Sequence, residues 1–421
     1  MSLEEYRAEM ETCCRCSACK FVPLEIVNGY DNVNICPSIS RYNFHAYSGG
    51  GRLGIGVAIL EKEIGYSEKL LEVVYNCQMC GGCDVSCKYA MDMEVLEPLY
   101  GIRRECVESG HTLPVFDGII ARLRKDNSMV PGARQARGKW SEGLAVKDFT
   151  RQKAEVAFHA GCRTSYDANM WPAARSSIDL MQKAGADVGI DPHESCCGGR
   201  AYQLGYREDF LKLAKHNMDL LRKSGVKTLV TACAECYHAF KVLYDQAGLK
   251  DGPEVLHTSE YFAGLMAEGK LRPARRLDMA VTYHDPCHLG RLGEPYIHWQ
   301  GKQLPGHIRL FDPPREFRRG TCGVYAPPRD LLGSIPGVRL TEMERIKEYA
   351  WCCGAGGGVA EYNPGFAAWT ARERIREAEN TGAEALVTAC PGCESAFRQA
   401  ILAGGSSLKV YDLVEMLAAT V

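Results

Sequence analysis

Five cysteines recur in the same order in two stretches of this chain: Cys162, Cys196, Cys197, Cys233 and Cys236, then Cys287, Cys352, Cys353, Cys390 and Cys393. The flanking residues recur with them. AFHAGCRT (157–164) matches TYHDPCHL (282–289), SCCGG (195–199) matches WCCGA (351–355), and SGVKTLVTACAECYHAF (224–240) matches TGAEALVTACPGCESAF (381–397). The intervals from Cys196 to Cys352 and from Cys233 to Cys390 are 156 and 157 positions, whereas Cys162 to Cys287 is 125. The C-terminal part is therefore an internal duplication. Its second copy carries about 31 additional residues, placed around 293–328. Each copy alternates short β-rich runs (AEVAFHA, ADVGI, TLVTA) with helical stretches such as 167–185 and 207–223, a pattern that predicts parallel α/β layers. Cys162 and Cys233 then fall just past the carboxyl ends of their strands, where open α/β sheets bind ligands.

Twenty-one cysteines in 421 residues would suit a short secreted disulfide scaffold, but the chain is long and the polar, acidic segment 1–11 shows no secretory signal. The thiols are better explained as metal ligands in a reducing compartment, so a soluble, cytoplasmic protein is expected. A net charge of −2 gives no general attraction to nucleic acid or anionic membrane, and no apolar run approaches the ~20 residues that span a bilayer.

Residues 1–125 hold ten cysteines. Cys77-x2-Cys80-x2-Cys83-x3-Cys87 has the spacing of bacterial two-cluster ferredoxins, in which the fourth cysteine of a run serves the other cluster. The upstream partner is Cys13-x2-Cys16-x2-Cys19, followed by Cys36-Pro37. One [4Fe–4S] cubane is assigned to Cys13, Cys16, Cys19 and Cys87, and a second to Cys36, Cys77, Cys80 and Cys83. Two departures are visible: sixteen residues separate Cys19 from Cys36, and lysine follows Cys87. Cys14 is read as an incidental thiol or a substitute for Cys13 in a shifted register. Cys106 is read as packed on a helix at 99–109. GGGRLG (49–54) matches the dinucleotide fingerprint formally, but it follows no clear strand and has no acidic residue about twenty positions on. It is read as a loop leading into a helix at 54–64, without a cofactor. Structural zinc is the alternative throughout, since Cys-x2-Cys pairs with two further thiolates satisfy a tetrahedral site.

The expected architecture is a helical two-[4Fe–4S] ferredoxin-type domain (1–125), a Gly- and charge-rich linker (126–152), and two α/β cysteine-rich domains (153–273 and 274–421). Five thiols per copy exceed what a cubane needs. Adjacent cysteines such as Cys196–Cys197 suit bridging thiolates or a thiol-reactive centre better than two corners of one cube. His159 and His284 stand three residues before the first cysteine of each motif, either packed at a strand end or acting as proton donors or hydrogen-bond partners to sulfur. The extra segment 293–328, with Trp299, Cys322, Arg309, Arg315, Arg318 and Arg319, is either a solvated loop, a docking surface for another subunit, or a clamp for an anionic substrate.

The doubled Cys…Cys-Cys-Gly…Cys-x2-Cys pattern after a two-cluster motif, with YHDPCHLGR (283–291), APPRDLL (326–332) and WCCGAGGGV (351–359), resembles the catalytic iron–sulfur subunit of heterodisulfide reductase in its fused, D-type form. The resemblance implies a noncubane [4Fe–4S] cluster on each five-cysteine motif in addition to the two cubanes. It also implies chemistry at Cys196, Cys197, Cys352 and Cys353, with His159 and His284 beside them. Two functions follow from it. One is an electron-transfer subunit of a larger anaerobic redox complex with a flavin-containing heterodisulfide reductase A-like partner, as in class II benzoyl-CoA reductase. The other is reduction of a small disulfide of the coenzyme M–coenzyme B type between the paired motifs. A third setting, a lactate, glycolate or glycerol-3-phosphate oxidising system, uses related subunits. The first is favoured, because the second-copy insertion and the long Cys19–Cys36 gap depart from the methanogen pattern.

Overall fold

The computed structural model describes residues 2–305 and 310–421. Two parallel sheets form its larger part. In the first copy, β1 (Lys147–Asp148), β2 (Val156–His159), β3 (Val188–Ile190), β4 (Thr228–Thr231) and β5 (Glu254–His257) run in the order β1-β3-β2-β4-β5. In the second copy, β6 (Met279–His284) precedes a small antiparallel hairpin of β7 (Lys302–Leu304) and β8 (Leu310–Asp312). It is joined in its sheet by β9 (Val338–Leu340), β10 (Ala385–Thr388) and β11 (Lys409–Asp412), in the order β11-β10-β6-β9. Removing β1 leaves the same four-strand order twice, and every pairing in both sheets is parallel. The strands are short and mostly buried, as expected where helices cover both faces.

The helices repeat as well. Arg207–Ser224 in the first copy ends on Gly225, whose φ of 69° continues the chain in the left-handed conformation that closes helices. Thr258–Ala267 and Leu413–Ala418 follow the last strand of each sheet. Both start with a capping box, His257 with Glu260 and Asp412 with Glu415. Thr258–Ala267 packs on Ala326–Ser334 of the second copy, and Leu413–Ala418 packs on Trp171–Lys183 of the first. Each copy thus places its last helix on the other, which makes a two-fold-like pair with a shared core.

The N-terminal part is helical, with segments Pro37–Tyr42, Gly49–Leu60, Glu68–Tyr75, Gly82–Met91, Leu96–Glu108 and Pro114–Asp126. Cys106 is buried on the fifth of these, as expected. The glycines at 49–51 differ from the expected loop: they form the first turn of a helix capped by Ser48, whose Oγ accepts from Gly51 N at 3.0 Å. The reason is space, because a β-carbon at Gly50 would lie 3.0 Å from Cys13 Sγ and one at Gly51 only 2.0 Å from the His45 carbonyl oxygen. The cysteine-free segment 126–152 lies against the first copy. It supplies β1 and buries Trp140, so it joins the two parts without hanging free.

Candidate metal centre

Two groups of four thiols gather in the N-terminal part. Cys13 ends the helix Arg7–Thr12, and the chain then turns through left-handed Arg15 and Ser17 to bring Cys16 and Cys19 alongside it. Cys87 reaches the same place from Gly82–Met91, and all four line one cavity with His45 and Gly50. Its empty space is about 340 Å³. Burial and the charges of Cys19, Cys13 and Cys16, with Asp84, push the Cys87 thiol up. The second group forms where Cys36, at the start of Pro37–Tyr42, meets the Cys77–Cys83 loop, which turns through left-handed Met79 and Gly81. Burial takes Cys36 to about 12, with Cys77 and Cys80 adding to the rise. Cys83 is driven well above its ordinary value by burial and by Cys36, Cys77, Cys19 and Cys80. Thiols this crowded resist ionising together, and a bound cation removes that cost, so the donor set fits a thiolate-held iron cluster. Cys14 lines the first cavity but is exposed, and Cys322 is exposed far along the chain.

The ten C-terminal cysteines form one continuous chain of sulfur contacts. In the first copy it runs Cys162–Cys196–Cys197–Cys236–Cys233, each thiol close enough to shift the ionisation of the next. In the second it runs Cys287–Cys352–Cys353–Cys393–Cys390. The halves join at Cys233 and Cys390, equivalent residues whose thiols lie close enough to shift each other's ionisation. The Cys-Cys-Gly turn is built the same way in both: Gly198 N donates to Cys196 Sγ at 3.4 Å and Gly354 N to Cys352 Sγ at 3.3 Å. Both glycines are left-handed, with φ of 78° and 92°, and the helix packed above leaves no room for a β-carbon at Gly354. The N-terminal part meets this chain where Cys80 stands beside Cys352. That contact lowers the Cys80 thiol to about 7. Hydrogen bonds from Cys196 and Cys236 lower Cys197 to about 6.

The two candidate histidines occupy equivalent positions with opposite partners. His159 Nδ1 lies 3.1 Å from Glu194 Oε2, whose carboxylate also accepts from Gly161 N at 2.7 Å. His284 Nδ1 instead accepts from Arg374 Nε at 3.1 Å, which fixes the tautomer carrying hydrogen on Nε2. Ligand atoms of His284, Cys353 and Cys393 lie within 4.8 Å of one another, so His284 stands beside sulfur.

Several residues around the sulfurs were not singled out from the sequence. Arg137, from the segment between the two parts, donates to Cys162 Sγ at 3.3 Å and lies 3.5 Å from Glu194. His288 Nδ1 is 3.3 Å from Cys287 Sγ; burial opposes its charge, but the Cys287 thiolate and Glu235 raise it to about 9. Arg200 bridges Glu235 of the first copy at 3.1 Å and Glu361 of the second at 3.3 Å. Gln203 crosses between the copies as well, accepting from Gly357 N at 2.9 Å and contacting His288 Nε2 at 3.0 Å. The motif YHDPCHLGR contained a signal for His288. Nothing local marks Arg137, whose sulfur partner is 25 residues away.

The insertion folds back onto the N-terminal part. Arg318 pairs with Glu97 at 3.5 Å, Arg315 with Glu9, and Arg319 with Asp92, while Arg319 Nη1 donates to the Lys88 carbonyl at 2.7 Å. Arg315 also lies over Phe317 at 4.9 Å. Arg315 and Arg318 are largely covered and engaged by carboxylates of the same chain, while Arg319, paired with Asp92, stays about half exposed. Arg309 lies outside the described residues.

A family model described as "Cysteine-rich domain" matches residues 156–241 and 281–398, one match on each copy. The D-type subunit of the dihydromethanophenazine:CoB–CoM heterodisulfide reductase of Methanosarcina mazei is 29% identical over 97% of this chain and 92% of its own length. Each copy is thus matched as a cysteine-rich domain, and the chain is similar along nearly its whole length to heterodisulfide reductase D-type subunits. Other similar proteins include the EtfAB:quinone oxidoreductase of Syntrophomonas wolfei, 28% identical over 85% of this chain and 48% of that protein. The crystal structure of a hypothetical protein from Helicobacter pylori matches with a TM-score of 0.53 at 11% identity, covering 89% of this chain and 67% of that one, and shows the fold alone. The chain is an iron–sulfur oxidoreductase subunit related to these proteins. Among the described residues no helix is long and apolar enough to cross a membrane.

Proposed function

We propose that this chain is the electron-transfer subunit of a larger anaerobic redox complex. In this reading Cys13, Cys16, Cys19 and Cys87 hold one cubane [4Fe–4S] cluster, and Cys36, Cys77, Cys80 and Cys83 hold another. Cys162, Cys196, Cys197, Cys233 and Cys236 hold a noncubane cluster, as do Cys287, Cys352, Cys353, Cys390 and Cys393. Bound there, the clusters supply one-electron oxidation and reduction. The chain's own residues set the path: the Cys80–Cys352 contact joins the N-terminal part to the second copy, and the Cys233–Cys390 contact joins the copies. That uninterrupted succession of sulfurs is the observation that carries the reading. The buried guanidiniums of Arg137 and Arg291 offset thiolate charge near the two ends, and His284 offers an N–H beside Cys353.

Flavin or nicotinamide chemistry belongs to a partner in this reading, and a flavin-containing heterodisulfide reductase A-like subunit suits that role, in a class II benzoyl-CoA reductase complex or a related one. Disulfide reduction at the paired motifs is the weaker reading. Cys196, Cys197, Cys352 and Cys353 are all buried, and Arg200 and Gln203 cross between the copies beside them.

The test is a Cys36→Ser variant of the anaerobically prepared full chain. Iron held by the C-terminal cysteines should stay, while its reduction by a protein reductant slows at least ~100-fold. Undiminished reduction would show that electrons reach the C-terminal cysteines without the N-terminal part.

A further inference from the structure

Three arginines are buried without a carboxylate. Arg52, Arg103 and Arg291 are between 1% and 4% exposed, and none takes part in an ion pair among the described residues. Neutral acceptors hold them instead. Arg52, on Gly49–Leu60, donates to the Val73 and Asn76 carbonyls at 3.0 and 2.7 Å and to Ser38 Oγ at 2.8 Å. Arg103, on Leu96–Glu108, donates to the carbonyls of Val74 and Cys77 at 3.2 and 2.7 Å. It also reaches the Gln203 carbonyl of the first copy at 2.9 Å and the Gly357 carbonyl of the second at 2.7 Å. Arg291 donates to the carbonyls of Ala350, at 2.6 Å, and Glu348. The Glu348 side chain is within electrostatic reach of Arg291, but burial raises its carboxyl and the two make no ion pair. Nε of Arg103 and Nε of Arg291 are buried without a hydrogen-bond partner among the described residues.

A guanidinium keeps its proton in a folded protein, so burying one without an anion is costly. Arg52 and Arg103 also repel one another. What faces the three cations is sulfur: Arg52 is within electrostatic reach of Cys36, Arg103 of Cys77 and Arg291 of Cys80. Those cysteines and Cys83 form the inner N-terminal quartet, with Cys19 of the outer one on one side and Cys352 on the other. The outer quartet is treated differently. The cation near Cys19 is the partly exposed Lys20, Cys87 lies near Asp84, and the buried Lys88 is engaged by Asp84 at 2.6 Å and Glu94 at 3.0 Å.

We propose that Arg52, Arg103 and Arg291 are positioning residues that supply the fixed countercharge of the Cys36, Cys77, Cys80 and Cys83 group and raise its reduction potential. The proposal rests on the electron-transfer reading and adds the residues that draw an electron inward, toward Cys352. An added electron makes a thiolate-held iron group one charge more negative. Cations fixed beside it in a poorly screened interior stabilise that form more than the oxidised one.

The experiment is an anaerobic redox titration of the iron-loaded full chain followed by electron paramagnetic resonance, in which the signal missing from Cys36→Ser marks the inner quartet. Arg52→Gln and Arg103→Gln are the test proteins, and Arg52→Lys and Arg103→Lys keep the charge. Each glutamine variant should lower the reduced-to-oxidised ratio of the inner signal at fixed potential at least ~10-fold, or ~59 mV for one electron, and leave the outer signal in place. Each lysine variant should stay near the unaltered midpoint. Hydrogen bonding alone would make lysine and glutamine act alike, so equal shifts overturn the proposal. Where a glutamine variant loses the inner iron, retention of iron and midpoint by its lysine counterpart supports the countercharge, and loss from both overturns it. Glutamine variants with an unmoved inner midpoint overturn it too and leave the electron-transfer reading standing. If the unaltered chain shows no iron signal that Cys36→Ser removes, the inner cluster assignment fails and both are overturned.

Discussion

Cys233 and Cys390 are the two sulfurs at which the duplicated copies touch, so a change there acts on both. Replacing Cys390 with serine is predicted to remove about four of the bound irons while the N-terminal quartets keep theirs, as measured by anaerobic metal analysis. Full retention of iron would show that Cys390 is not a ligand. His257 sits next to this junction, and burial lowers it to about 4 from 6.5. Its Nδ1 accepts from Ser259 N at 3.1 Å, which requires the neutral ring. The unfolded chain binds the proton below pH 6.5 and the folded chain only near pH 4, so stability is lost as pH falls across that interval. The loss is at most about 3 kcal/mol. His257→Gln should flatten the dependence of the urea midpoint on pH between 6.5 and 4, and an unchanged slope would count against this assignment. The cysteines were readable because Leu-Val-Thr-Ala-Cys occurs twice in register. The role of Arg137 was not, because a buried guanidinium beside a sulfur is created by tertiary packing and leaves no local pattern.

At the scale of elements, the strands and helices of each copy followed from alternation and from stops such as Gly225, while two segments take their structure from long-range contacts. The glycines at 49–51 resemble a loop in sequence, yet they are helical because cysteine sulfur and the His45 carbonyl oxygen occupy the space a side chain needs. The insertion resembles a solvated or outward surface by composition, yet its arginines meet Glu9, Asp92 and Glu97, all more than 200 positions away. It acts as a strap that holds the N-terminal part on the second copy, close to the Cys80–Cys352 contact. The double variant Arg315→Ala/Arg318→Ala removes two partly buried pairs and is predicted to cost about 3 kcal/mol. Hydrogen exchange should rise in helices Gly82–Met91 and Leu96–Glu108, with iron content unchanged. Exchange equal to the unaltered chain would mean that the strap bears no weight.

The whole molecule is two parallel sheets that meet at Cys233 and Cys390, with a helical part that packs on both copies. The attachment is asymmetric at the sulfurs: Cys80 meets Cys352, whereas the equivalent Cys196 has its backbone N–H bound by the Asn127 carbonyl at 2.9 Å. On the proposed path, electrons entering from the N-terminal part reach the second copy before the first. The duplication was legible in the sequence, but which copy's sulfurs face the N-terminal cysteines was not, since both motifs are complete and only tertiary packing selects one. Electron transfer along this path requires that all eighteen assigned cysteines bind iron. Anaerobic iron and zinc analysis of the full chain tests this most directly. Four clusters predict about sixteen iron atoms per chain and no stoichiometric zinc, whereas about eight iron atoms with one or two zinc would contradict the C-terminal assignment and leave only the N-terminal pair.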